Sequence, residues 1–249
     1  METTGPSAPP LPLPASLAAL GDLALLAAHI ARPLSHLHAD HLVLPPLNAG
    51  DLRKIAALPP FRKPLNLALS RHLGLTDLAI EPRLAEALAG NADAKLAVAF
   101  LKLAPDRLLE ISRYCAAAQL YPQIRACVLK STRQKAQAIL GAEAFVVALR
   151  EVPVFFPNLP VRSAHVRLEA ELDREQVDRE PADEAGPHVL VLEGLKTLMA
   201  FARATHRTAA TLLAFRFPNA LRRHLHTGDT ISEIQILELK TLLARRGIA

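Results

Sequence analysis

LLEISRYCAAAQLYPQIRACVLKSTRQKAQAILGAEAFVVALREVPVFF, residues 108–156, decides the fold. Leu108, Ile111, Cys115, Ala118 and Leu120 recur near the 3.6-residue period of an amphipathic helix. Pro105 opens that helix, which is expected over Asp106–Leu120, and Pro122 starts the next. Ser131 and Gly141 frame a third helix over Thr132–Leu140, and a fourth, Ala142–Arg150, runs up to Pro153. Apolar faces alternate with Arg/Lys faces. The stretch holds no evident nucleophile, general base or phosphate-cradling loop. It argues for packing and docking rather than catalysis.

On the N-terminal side, five prolines and Gly5 within residues 1–14 predict a disordered tail. Ser16 is placed to cap a helix over Leu17–Ala31, which Pro33 ends. Residues 36–60 read as a broken connector, with Pro-Pro pairs at 45–46 and 59–60 around a short helix capped by Asn48, with Asp51 in its first turn. A helix follows over Arg62–Leu73, with Gly74 just past its end. Pro82 opens another that stops at Gly90. Asn91 caps the next, which carries Ala92, Leu96, Ala99 and Leu103 on one face.

On the C-terminal side, three prolines in Val152–Val161 mark a boundary. Arg162–Glu180 is charged and fits an exposed helix or, from the alternation in VRSAHVRLEAEL, a strand. Helices are expected near Val189–Thr205, Thr208–Phe215 and Pro218–His226. For the final one, Thr230 and Glu233 form a capping box, Ile231, Ile234, Leu237 and Leu242 share a face, and Gly247 ends it. The whole predicts an all-α multi-helix bundle. Its expected parts are a tail at 1–15, a helical domain at 16–157, a charged linker or hairpin at 158–187 and a helical region at 188–249.

The totals agree with this. Aromatic residues make up 4% of the chain and tryptophan is absent, so the core must be assembled from small aliphatic contacts. The net charge of +5 and the pI of about 9.5 fit a nucleic-acid binder and many other proteins equally well. The distribution of charge says more. Residues 162–184 hold eight acids against four arginines, and residues 188–249 hold nine Lys/Arg against four acids. Opposed patches of this kind favour docking between protein surfaces. Cys115 and Cys127 sit in alanine-rich helical contexts, which points to free thiols in a reducing cytoplasm. No segment reaches the roughly 18–20 apolar residues of a membrane span, and no basic leader precedes the apolar run 15–31.

Two motifs invite chemistry. His36-Leu-His38-Ala-Asp40-His41 matches the H-x-H-x-D-H zinc signature of the metallo-β-lactamase fold, whose ligands polarise a bound water. That signature needs a strand-rich body and further ligands downstream, whereas helical patterns flank it here. A metal-dependent hydrolase is therefore the remote alternative, and histidines packed in a connector are the favoured reading. The second motif is the helix–turn–helix outline of Pro218–Gly247. Its second helix is apolar at the centre and basic only at its end, at Arg245 and Arg246, where basic residues also complement the helix dipole. A helical nucleic-acid binder is the nearer alternative.

The order of features resembles the SctK (YscK/PscK) family of type III secretion sorting-platform proteins. The resemblance is carried by LHADHLVLPPL at 37–47, LGL at 73–75, YCAAAQLYPQIR at 114–125, ILGAEAFVVALREVP at 139–153 and FRFPNALRRHL at 215–225. The proline-rich N-terminus and the acidic 169–184 segment depart from it. The resemblance implies a non-enzymatic cytosolic adaptor without cofactor. Such an adaptor links the cytoplasmic domain of the inner-membrane ring protein (SctD-like) to the pod protein SctQ, and through it to the secretion ATPase complex. Two faces are the candidates for that work: basic Arg203, Arg207, Arg216, Arg222 and Arg223, and acidic Glu169, Glu171 and Asp173.

Overall fold

The computed structural model describes residues 15–78, 88, 90–159, 167–174, 187–225 and 230–247. Among them the chain forms fifteen α-helices and no strand. Before the long central stretch come α1 (Ala15–Ala31), α2 (Pro33–His36), α3 (Ala49–Ala56), α4 (Pro59–His72) and α5 (Ala92–Ala99). The stretch itself is α6 (Pro105–Gln119), α7 (Tyr121–Ala126), α8 (Lys130–Leu140), α9 (Ala142–Arg150) and α10 (Val152–Phe155). Then follow α11 (Leu168–Arg174), α12 (Val189–Thr205), α13 (Arg207–Ala214), α14 (Asn219–Leu225) and α15 (Glu233–Arg245). The all-α expectation holds. Where 162–180 is described it is helical, at α11; the expected tail lies outside the described residues but for Ala15, and of the expected helix from Pro82 only Leu88 and Gly90 are described, both helical.

Caps explain some of the boundaries. Asn48 accepts from Asp51 N at 3.0 Å while Asp51 accepts in return from Asn48 N, a reciprocal box that starts α3. Asn91 accepts from the backbone of Asp93 and Ala94 to start α5. Gly141 stands at φ 88°, which an L side chain rarely adopts, and lets α8 turn directly into α9.

Several expected boundaries move. Ser16 lies within α1, which begins at Ala15. Pro59 takes the first position of α4, where its missing N–H costs nothing, so that helix starts three residues before Arg62. Ser131 lies inside α8, which begins at Lys130. Pro153 does not close the series but sits in the first turn of α10. After Ala99 the chain tightens into a 3₁₀ turn at Phe100–Lys102, which takes Leu103 off the α5 face; Leu96 is buried as expected, with Ala94, Ala97 and Val98 beside it rather than Ala92 and Ala99.

The α15 pattern is corrected most. Ser232 and Gln235 form its capping box, not Thr230 and Glu233. Ile234 and Leu237 face outward, at 58% and 62% exposure, while Glu238, Leu239, Leu242 and Leu243 turn inward. Glu238 is part of the inward stripe. Its carboxylate accepts from Asn158 N (2.9 Å), Leu159 N (2.9 Å) and Asn158 Nδ2 (2.6 Å), so a charged side chain occupies the buried stripe. Buried carboxylates are tolerated when donors converge on them.

At the centre, α6 and α12 pack more extensively on each other than any other pair. The contact depends on small residues. An added Cβ at Gly194 of α12 would stand 1.8 Å from Ser112 O and 2.7 Å from Ala116 N of α6. Ser112 can face the crossing because its hydroxyl donates back to Leu108 O at 2.7 Å. Around this pair, α13, α5 and α14 pack on α12, and α9 packs on α6. Phe100 and Phe201 meet with ring centres 5.9 Å apart. Buried side chains from Ala19 to Leu243 join in one hydrophobic cluster. The segment after Val152 therefore divides the chain but not its packing: residues expected in an N-terminal domain and in a C-terminal region share a core.

Candidate functional site

The HLHADH string proves to be a clamp. His38 N donates to Phe215 O at 3.0 Å. His41 is buried, its Nε2 donates to Phe217 O at 2.8 Å, and its ring meets Phe215 edge-on. Asp40 accepts from Asn219 N at 3.0 Å and so serves the start of α14, while Asn219 Nδ2 donates to Asp40 O at 3.3 Å. His36 points elsewhere and stacks on His29 of α1, ring centres 4.0 Å apart. Among the string's side chains only His38 Nδ1 and Asp40 Oδ1 come together, 3.4 Å apart, while His36 is stacked on His29 and His41 is bonded to Phe217 O. Among the described residues no group of three or more His, Cys, Asp and Glu side chains is placed to hold a metal. Burial lowers the affinity of His29, His36 and His41 for a proton, and takes His29 down to about 4. Arg216 beside His29 and His36, and Arg222 beside His41, act in the same direction.

The five arginines separate into two kinds. Arg216 reaches back to the 3₁₀ turn after α5 and donates Nη1 to Phe100 O (3.3 Å) and Leu101 O (3.0 Å). Arg203 donates to Leu225 O at 2.7 Å and closes the end of α14. Arg222 lies over the Phe215 ring, 3.8 Å from its centre. These three hold the C-terminal helices together. Arg207 and Arg223 are exposed. On the acidic side, Glu169 is exposed and Glu171 half-buried on α11, and Asp173 lies on the same helix with its side chain outside the described part. That helix is anchored by Leu168 N donating to Gln123 Oε1 of α7 at 2.7 Å.

The end of the chain resolves the helix–turn–helix outline geometrically. Arg246 pairs with Glu143 (3.1 Å) and Glu151, and Arg245 covers the Phe155 ring at 3.8 Å and approaches Glu151 at 3.5 Å. Both guanidinium groups are engaged by α9 and the turn into α10, so the basic end of α15 is turned onto the protein.

One feature escaped the sequence pattern. Cys127–Leu129 interrupts the central stretch between α7 and α8, and there Val128 and Leu129 stand 88% and 67% exposed. A run of apolar residues inside a helical pattern gave no sign of a loop. Cys115 and Cys127 are both buried and free, and burial pushes the Cys115 thiol up to about 12. Among the described residues no helix is long and apolar enough to cross a membrane. Comparison with protein-family models, with curated proteins and with solved structures found no match to this chain.

Proposed function

We propose that this chain is a non-enzymatic adaptor of a type III secretion sorting platform, as its resemblance to the SctK family implies. In that role it bridges the cytoplasmic domain of the inner-membrane ring protein and the pod protein, and through the latter the ATPase complex, at the cytoplasmic face of the inner membrane. The order of motifs from 37–47 through 139–153 to 215–225 carries the reading. The exposed Val128–Leu129 loop, in the middle of the best-matching segment, supports it, since large aliphatic side chains presented to solvent favour a partner surface. Arg207 and Arg223 on one side, and Glu169 and Glu171 on the other, remain the charged candidates. Co-purification with each of the two partners from the same secretion system tests the proposal. Both pairings are expected, with V128D/L129D weakening one of them and sparing the other. A folded chain that retains neither partner refutes it.

A further inference from the structure

A groove of about 850 Å³ runs between the end of α1, α2 and the outer face of α4. Ile30 and Leu67 give its lining aliphatic surface, and Arg32, Arg62 and Lys63 give it positive charge. No acidic residue lines it, and among the described residues none of these three cations is paired with a carboxylate. The surrounding helices add to the charge: residues 49–74 hold Arg53, Lys54, Arg62, Lys63 and Arg71 against Asp51 alone, and Asp51 is occupied in the α3 cap.

The polar groups lining the groove are already satisfied. Asn66 accepts from Leu34 N at 3.2 Å and donates to Arg62 O at 2.8 Å, and Ser70 donates to Ile30 O. Arg62 is steadied by Nε donating to Ala56 O at 3.2 Å. What the groove offers a ligand is therefore positive charge beside aliphatic surface, on helices that already hold their shape. Leu67 is 47% exposed there.

We propose that this groove docks an acidic segment of a partner protein, with its carboxylates on Arg32, Arg62 and Lys63 and an aliphatic side chain on Ile30 and Leu67. Charge complementarity selects the occupant, since guanidinium groups pair with carboxylates through parallel hydrogen bonds. A lone phosphate leaves the apolar lining uncovered and the volume unfilled. A bilayer surface meets projecting apolar residues, whereas here the apolar residues line a concavity together with the cations. The groove is separate from the Val128–Leu129 loop and from Arg207 and Arg223, and the inference does not depend on the adaptor reading.

The test is selection of a phage-displayed library of random 12-residue peptides on the full chain, with affinities of the enriched peptides measured on wild type, R32E/K63E and L67S. Circular dichroism verifies that the variants fold; R32Q/K63Q replaces the charge reversal if it does not. Peptides that combine Asp or Glu with Leu or Ile are expected, binding at least tenfold more weakly to the charge variant and measurably more weakly to L67S. Enriched peptides without acidic residues, or affinities that the variants leave unchanged, overturn the proposal. So does binding to phosphatidylglycerol vesicles that R32E/K63E abolishes while no acidic peptide is enriched, which assigns the face to lipid.

Discussion

Substituting alanine for Gly194 probes the crossing on which the bundle is built. In most helix interiors Gly→Ala stabilises, because alanine has the better helix propensity by about 1 kcal/mol. At Gly194 the added methyl carbon would lie 1.8 Å from Ser112 O and 2.7 Å from Ala116 N, where ordinary contact is 3.4–4 Å. Both obstructing atoms are backbone, so no side-chain rotation relieves them, and α6 and α12 must separate or shift. Overpacking of a core costs about 1–3 kcal/mol and sometimes more, and an obstruction by backbone belongs at or above the upper end. After the propensity gain, a net loss of about 2–3 kcal/mol is expected, which for a chain of this length lowers Tm by roughly 5–12 °C. Gly21 supplies the control. It lies in α1, is exposed, and an added Cβ meets nothing within 4 Å. G21A is therefore expected to stabilise by about 0.5–1 kcal/mol. Thermal and urea unfolding followed by circular dichroism read both. A G194A protein as stable as wild type, or two substitutions with the same sign, would refute the α6–α12 contact as described.

Three further outcomes follow from the same geometry. R216A removes the donor to Phe100 O and Leu101 O and is expected to cost about 2 kcal/mol, whereas R223A, on an exposed side chain, should stay within about 0.5 kcal/mol; chemical denaturation distinguishes them. E238A strands the buried donors of Asn158 and Leu159 and should destabilise by about 2–4 kcal/mol, with E238Q milder because it keeps an acceptor, and hydrogen exchange at Leu159 N should accelerate in both. Acidification should weaken the fold through the buried histidines. His29 has a folded value of about 4 against an ordinary 6.5, so between these pH values the unfolded chain binds a proton that the native chain refuses. Stability then falls as pH drops from about 6.5 to 4, by on the order of 2 kcal/mol from His29, and levels off below; H29Q should flatten that part of the profile, and an unchanged slope would contradict it.

Much of this architecture was legible because its signals are local. Asn48, Asn91, Pro105, Gly141 and Gly74 each act within a few residues of themselves, and the helix ends they set appear where the pattern put them. What was not legible depends on distant partners. Glu238 is one case: its partners Asn158 and Leu159 arrive from 79–80 positions away, so nothing near it in sequence marks its burial on α15. Asp40 and His41 sit in a string that matches a metal signature; the sequence favoured histidines packed in a connector, but nothing nearby names their partners, Asn219 and Phe217, which lie 179 and 176 positions away. Arg203, Arg216 and Arg222 read as a basic face for the same reason: the carbonyls and the ring that engage them lie elsewhere in the chain or around a turn. The loop at Val128–Leu129 lacked glycine and proline, so only its exposure revealed it.

An adaptor must hold its two partners at once. The most direct measurement is light scattering coupled to size exclusion on a mixture of this chain, the cytoplasmic domain of the inner-membrane ring protein and the pod protein from the same secretion system. The account predicts one species containing all three. A folded chain that elutes alone, or that binds the two partners only in competition with each other, would contradict it.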